Sequence, residues 1–254
     1  MQLGLDGVGV VITGAASGIG LACARAFVDE GAFVGIIDRD AVALHAVAAE
    51  LTSADAVIAS AVADVTIESD IVSAIDAVAR RLGGIGVAVA CAGISGTVGL
   101  PLDEVSLDEW NRVMAVNVSG QFLLAKHALP HLKDAHHPAI VLMGSDSGFV
   151  AAPGMVPYNA SKGAVVQLAK ALSVDLEQYG IRVNCVCPSI VDTPMARSDL
   201  DIGTEGFAAV GYPVQSASEV ASHVLYLSSP VSRPINGTAL VSDFGYLARS
   251  SFPA

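Results

Sequence analysis

Short runs of aliphatic and β-branched residues alternate along this chain with longer segments whose apolar positions recur at helical spacing. The runs Val8–Thr13, Phe33–Asp38, Ala56–Ala61, Gly86–Ala90, Ala139–Met143, Arg182–Cys187 and Thr238–Val241 predict strands. Between them, Gly18–Glu30, Ala41–Leu51, Glu68–Leu82, Leu107–Leu132, Tyr158–Tyr179 and Ser218–Leu227 predict helices. The strands read as continuous apolar stretches, so both faces of their sheet should be covered by helices. A regular β-α-β rhythm of this kind predicts an α/β fold built on a doubly wound parallel β-sheet. No repeat, low-complexity tract or linker interrupts it, and a single domain over residues 1–254 is expected.

Composition adds to that picture. Hydrophobic residues make up 53% of the chain and charged residues 15%, against a usual charged share of about 25%. So few charges cannot cover a whole surface, which predicts that other subunits bury several helix faces. The net charge is -12, from 13 basic and 25 acidic residues, and no basic stripe appears. Neither nucleic acid nor an anionic membrane is an expected partner. The opening "MQLGLDGVGVVITG" lacks the pattern of a signal peptide, and no apolar run approaches the roughly 20 residues of a membrane span. Four cysteines, at 23, 91, 185 and 187, include a C-x-C pair on one predicted strand. Without a second pair or a nearby histidine they read as buried thiols of a reduced compartment, here the cytoplasm. His127 and His131 stand four apart on a predicted helix with no carboxylate completing a metal motif, so no metal site is expected.

The first predicted strand runs directly into "TGAASGIG", residues 13–20. Glycines at 14, 18 and 20 suit a tight turn, close approach of a pyrophosphate and close helix–strand packing. The helix that follows presents its N-terminal amides to the phosphates. Asp38 closes the second strand, 18 residues after Gly20. A carboxylate there accepts hydrogen bonds from both ribose hydroxyls of adenosine and repels a 2′-phosphate. That favours NAD over NADP, with the neighbouring Arg39 read as a solvated side chain.

The stretch "SDSGFVAAPGMVPYNASK", residues 145–162, places Tyr158 and Lys162 on one helical face. By itself the pair fits either an aromatic stem with a snorkelling lysine or a phenol whose proton affinity is lowered by a fixed ammonium. Together with "TGAASGIG", the pieces "ADV" at 63–65, "CAG" at 91–93, "NVSG" at 117–120, Ser145, "YNASK" at 158–162 and "PSIVDTPM" at 188–195 lie in one order over nearly the whole chain. In them the sequence resembles the short-chain dehydrogenase/reductase superfamily, in its short single-domain form with a Rossmann-type sheet. The serine stands 13 residues before the tyrosine, the interval usual in that family.

The resemblance implies a role for each matching position. Tyr158 would be the general base in oxidation and the acid in reduction. Lys162 would hold the nicotinamide ribose and keep the tyrosine acidic, Ser145 would bind the substrate oxygen, and Asn117 would hold a water leading from Lys162 to bulk solvent. Asp64 and Val65 would meet the adenine, and Val191 and Thr193 the nicotinamide carboxamide. Ser17, Ile19, Cys91, Gly93 and Pro188 would complete the cofactor contacts. Elementary electrostatics agrees with the tyrosine's role. Poising a phenol near neutrality takes roughly 4 kcal/mol of preferential phenolate stabilisation. One ammonium about 4 Å away supplies about that at an effective dielectric of ~20.

Two departures stand out. The family's NNAG reads "ACAG", with Cys91 for the second asparagine, and its Pro-Gly reads Pro188-Ser189, leaving the local backbone open. The segment from about 195 to 217, acidic and glycine-rich, is expected to cover the substrate, with no basic residue after Arg197 to clamp an anion. The resulting expectation is an NAD-dependent oxidoreductase acting on a small to medium, largely apolar, uncharged secondary alcohol or ketone. The alternatives are an NADPH-dependent 3-ketoacyl-acyl-carrier-protein reductase and a catalytically silent NAD-binding regulator. Excess apolar residues on the helices at 107–132 and 158–179 predict a shared four-helix interface and a homotetramer, the assembly common among similar proteins of the family.

Overall fold

The computed structural model describes residues 2–52, 56–202 and 206–249. Among these, seven strands form one all-parallel sheet in the order β3-β2-β1-β4-β5-β6-β9. They are β1 Gly9–Thr13, β2 Phe33–Asp38, β3 Ile58–Val62, β4 Val87–Ala90, β5 Ala139–Met143, β6 Arg182–Pro188 and β9 Ala239–Ser242. The doubly wound parallel sheet expected from the sequence is therefore the fold. Every residue of β4, β5 and β6 is buried, which is why these strands lack an apolar–polar alternation.

Two cores lie on opposite faces of the sheet. One packs against helices α3 Glu68–Leu82, α5 Gly120–Leu132 and α6 Val156–Asp175. The other packs against α1 Gly18–Asp29, α2 Ala41–Leu51 and α8 Ala217–Ser228. The strand order reverses between β1 and β4, and a crevice at their carboxyl ends is where such sheets bind ligands.

Three features depart from the expected pattern. The single helix foreseen at 107–132 divides into α4 Leu107–Met114, a π turn Ala115–Ser119, and α5. Such wide turns recur at functional sites, and this one contains Asn117. The segment expected to cover the substrate builds its own elements. A short parallel pair, β7 Val191–Asp192 with β8 Gln215–Ser216, brackets helix α7 Pro194–Asp199; residues 203–205 of that segment lie outside the described residues. Finally, α6 turns Val165, Val166 and Ala169 into the core and packs Leu168 and Leu172 against it, while Gln167, Lys170, Ala171 and Val174 face outward. Its outer face is narrower in apolar character than the sequence predicted.

One buried cation ties the edge of the sheet. Arg182, 8% exposed at the start of β6, donates to the carbonyls of Leu227 and Ser229 and to the Ser232 hydroxyl at 2.9, 3.1 and 3.0 Å. Its guanidinium thereby satisfies the carbonyls freed at the end of α8. Burial lowers its proton affinity from the usual arginine value.

Candidate active site

The turn after β1 sits under the start of α1. Gly14 has a φ of +69°, and a Cβ there would lie 2.6 Å from the Ala92 amide nitrogen. No side chain fits between these two backbones. The cleft formed at this point is lined by Gly14, Ser17, Gly18, Ile19, Gly20, Asp38, Asp64, Val65, Cys91, Gly93 and Thr193, all expected from the sequence to hold a cofactor. Arg39, read from the sequence as merely solvated, lines it too.

Two acidic groups lining the cleft, Asp38 and Asp64, are fixed by backbone amides. Asp38 accepts from the Ala16 amide on one oxygen and the Asp40 amide on the other, both at 3.0 Å. Asp64 accepts from the amide and hydroxyl of Thr66 at 2.9 and 2.7 Å. The Thr66 amide, its hydroxyl and the charge of Arg39 outweigh burial and hold the Asp64 carboxyl below its ordinary range. Glycine-lined approach to backbone amides, with a fixed carboxylate about one β-α-β unit further on, is the donor and acceptor set that a nicotinamide dinucleotide requires.

The proposed proton-transfer residues gather where β5 ends. Ser145, 7% exposed, follows Gly144, and Lys162, 5% exposed, reaches from α6 to donate to the Met143 carbonyl at 2.9 Å. Tyr158 is half-buried one turn earlier on α6, with the Lys162 ammonium 5.5 Å from its ring centre. Among the described residues no carboxylate pairs with Lys162, so its charge is not neutralised. Gly93 joins the two regions, since a Cβ on it would lie 3.9 Å from the Lys162 ammonium and 3.4 Å from Asn117 Oδ1. Lys162 and Tyr158, expected also as cofactor contacts, thus stand beyond the cleft's lining at its Gly93 end.

Asn117 is fully buried within the π turn. Its Oδ1 accepts from the Ile94 amide at 2.8 Å, and its Nδ2 donates to the Ile94 carbonyl and the Ser161 hydroxyl, each at 2.9 Å. Ser161 in turn donates to the Tyr158 carbonyl at 2.7 Å. The amide is therefore consumed in clamping the strand end after β4 to the turn of α6 that carries Tyr158.

Ser145 Oγ accepts from the Ser147 amide at 3.1 Å and donates to Asp146 Oδ1 at 2.9 Å. Behind it lie the two thiols of β6, with Sγ atoms 3.5 Å apart and both residues fully buried. The hydrogen bond between them and burial push the Cys185 thiol up. The hydrogen bond with Cys185, the Lys162 charge and the Ser145 amide bring Cys187 down against burial. One of the two departures, Cys91, faces buried Cys23, and the neighbouring thiol together with burial raises the Cys23 thiol.

Pro188 ends β6, and the Ser189 amide donates to the Ser242 carbonyl at 2.9 Å. Ser189 is not among the described non-glycine residues of positive φ, so no glycine is needed there. This places buried Val191 in β7 and Thr193 at the N-cap of α7, where Thr193 Oγ1 accepts from the Ala196 amide at 3.2 Å and keeps its own proton free to donate. Among the described residues no three His, Cys, Asp or Glu side chains gather as metal ligands. His127 meets the Glu68 carboxylate at 2.8 Å.

Sequence reasoning missed several members. Gln121, one helical turn after Asn117, bonds both backbone groups of Met143 through its amide; its spacing from Asn117 was the available signal. Ser161 lay inside the quoted "YNASK". Asp146, Ser95 and Asp199 gave none, because their partners are set by loop geometry.

The family model for short chain dehydrogenase matches residues 9–201. The chain is 36% identical over 247 residues to 2-(S)-hydroxypropyl-CoM dehydrogenase 3 of Xanthobacter autotrophicus, covering 94% of this chain and 96% of that protein. It is 35% identical to D-threitol dehydrogenase of Mycolicibacterium smegmatis, covering 95% and 94%. Among solved structures, the 3-ketoacyl-(acyl-carrier-protein) reductase of Brucella melitensis complexed with NADH superposes with a TM-score of 0.85 at 31% identity, covering 95% of this chain and 98% of that one. The glycine-lined crevice, the parallel sheet and these similarities make the chain a member of the short-chain dehydrogenase/reductase superfamily, whose enzymes use a nicotinamide cofactor.

Proposed function

We propose that this protein transfers a hydride between NAD(H) and a small to medium, largely apolar, uncharged secondary alcohol or ketone. The observation that carries the reading is the buried Lys162 ammonium beside Tyr158, without a carboxylate partner among the described residues, at the end of the glycine-lined cleft. The bound nicotinamide supplies the hydride acceptor or donor. The chain's own residues handle the oxygen and its proton. In oxidation Tyr158 takes the hydroxyl proton and in reduction it returns one. The Lys162 charge favours the phenolate. Ser145 turns its O–H from Asp146 to the substrate oxygen, and Asn117 and Ser161 hold the Tyr158 turn in place. Val191 and Thr193 serve the carboxamide, Pro188 and Gly93 the neighbouring backbone, and Asp64 and Val65 the adenine.

Asp38 supports NAD over NADP, because its fixed carboxylate repels a 2′-phosphate more than the exposed Arg39 attracts one. The names of the threitol and hydroxypropyl relatives support a secondary alcohol as the reacting group. A screen of secondary alcohols, diols and ketones with NAD(H) and NADP(H), read by nicotinamide absorbance, tests the reading. Wild-type kcat/KM should favour NAD, and Asp38→Ser should narrow the gap. A wild-type preference for NADP would mean that Arg39 governs the site.

A ketoacyl reductase is the second reading, supported by the NADH-complexed reductase of similar fold. The net charge of -12 opposes it, since an acidic carrier protein docks on basic surface. NAD binding without turnover across the whole panel would favour a silent regulator. Four free thiols support a cytoplasmic setting. Among the described residues no helix is long and apolar enough to cross a membrane. Exposed Leu107, Phe122 and Val174 on α4, α5 and α6 support assembly as a homotetramer.

A further inference from the structure

Ser145 has one proton and two acceptors for it. Its Oγ donates to Asp146 Oδ1 at 2.9 Å and accepts from the Ser147 amide at 3.1 Å. A hydroxyl carries a single donor, so Asp146 loses this bond whenever Ser145 turns to a substrate oxygen. Among the described residues the Asp146 carboxylate accepts no other hydrogen bond and pairs with no cation. It is half-buried at the head of the short turn Asp146–Gly148. Its charge and that of Lys162 act on the same thiol, Cys187, in opposite senses, which sets the carboxylate close to the reacting centre. A substrate that only displaced water there would leave a charged acceptor without a donor, and that is costly.

We propose that Asp146 is a specificity-determining residue that accepts a hydrogen bond from a hydroxyl on the carbon next to the reacting one, so that the substrates are vicinal diols and the matching α-hydroxy ketones. The inference rests on the reading that Ser145 binds the substrate oxygen beside Tyr158, and it narrows the substrate class of that reading. Oxygens on adjacent carbons stand about 2.8 Å apart, one hydrogen-bond length. With the first oxygen on Ser145, the second falls within reach of a carboxylate that is itself one hydrogen bond from Ser145 Oγ. Ser145 then donates to the reacting oxygen, the reacting hydroxyl to Tyr158, and the second hydroxyl to Asp146. That second hydroxyl is neither oxidised nor deprotonated. The Lys162 charge, not neutralised by any carboxylate among the described residues, disfavours an ammonium in its place. The remainder of the substrate is apolar, since Phe149 and Val150 of the same loop are 48% and 41% exposed.

Steady-state oxidation of a series of 2-alkanols, each paired with its 2,3-diol, tests the proposal on the full-length protein. Wild-type kcat/KM should favour the diol about thirtyfold, as one hydrogen bond to a charged group predicts. Asp146→Asn keeps a neutral acceptor and should reduce that preference to about five-fold. Asp146→Ala should abolish it by moving the pair in opposite directions. The diol slows for want of its acceptor, and the 2-alkanol speeds up because its apolar carbon no longer meets an unpaired carboxylate. A residue that merely positioned Ser145 would instead slow both alike. No diol preference in wild type, a full preference surviving in Asp146→Ala, or a parallel fall of both substrates in both variants would overturn the assignment while leaving the proton-transfer reading standing. Faster turnover of the matching 3-amino-2-alkanols than of the diols would overturn the hydroxyl as the donor. A wild type that oxidises no member of the series with NAD or NADP would overturn both readings.

Discussion

Gly144 separates the last residue of β5 from Ser145, and both thiols of β6 crowd it. A Cβ at this position would lie 2.7 Å from the Sγ atoms of Cys185 and Cys187 alike. Gly144→Ala must therefore displace either the two thiols or the backbone that carries Ser145. A misplacement of that kind costs on the order of a hundredfold in rate, so kcat should fall by that order while NAD affinity, to which Ser145 is assigned no contact, holds. Near-wild-type turnover would show that the thiols yield instead. At this scale the sequence spoke clearly where chemistry imposes a spacing along one element. Tyr158 and Lys162 share a helix face, and glycines 14, 18 and 20 share one turn. It was silent on Gly144, whose constraint comes from two sulfurs on a neighbouring strand.

Between elements, the most telling contact is Arg182. The sequence marks Arg182 only as the first residue of a predicted strand, yet it holds the end of α8 and the loop to Ile235. Its acceptors include backbone carbonyls, which have no residue identity, and nothing in the pattern announces them. Arg182→Leu removes the hydrogen bonds to Leu227, Ser229 and Ser232, though the Ser232 amide still donates to the Ser229 carbonyl and Asn184 to that of Ile235. The apparent unfolding free energy from urea titration should therefore drop by about 3 kcal/mol. Arg182→Lys should recover only part of that, because an ammonium cannot reproduce the guanidinium fork. A leucine variant within about 1 kcal/mol of wild type would contradict the role. The π turn between α4 and α5 was equally illegible. Apolar periodicity ran unbroken from 107 to 132, and the hydrogen bonds of Asn117 to Ile94, made from within that turn, leave no mark in the pattern.

For the whole molecule, the order of strands and the position of the crevice were legible because continuous apolar strands and a β-α-β rhythm leave few other arrangements. Assembly is a different matter, since α6 buries more of its apolar surface within one subunit than its composition suggested. The remaining exposed residues, Leu107 at 72%, Phe122 at 43% and Val174 at 70%, still lie on the helices proposed to pair. Light scattering in dilute neutral buffer should give four times the subunit mass, and a single species at 25.7 kDa would exclude the tetramer. The central claim is proton transfer by Tyr158 during NAD-linked oxidation, and comparing Tyr158→Phe with wild type in one pair of assays tests it most directly. NAD should still bind within a few-fold of wild type while alcohol oxidation is lost by at least about a thousandfold. Oxidation by the phenylalanine variant at a rate near that of wild type would contradict it.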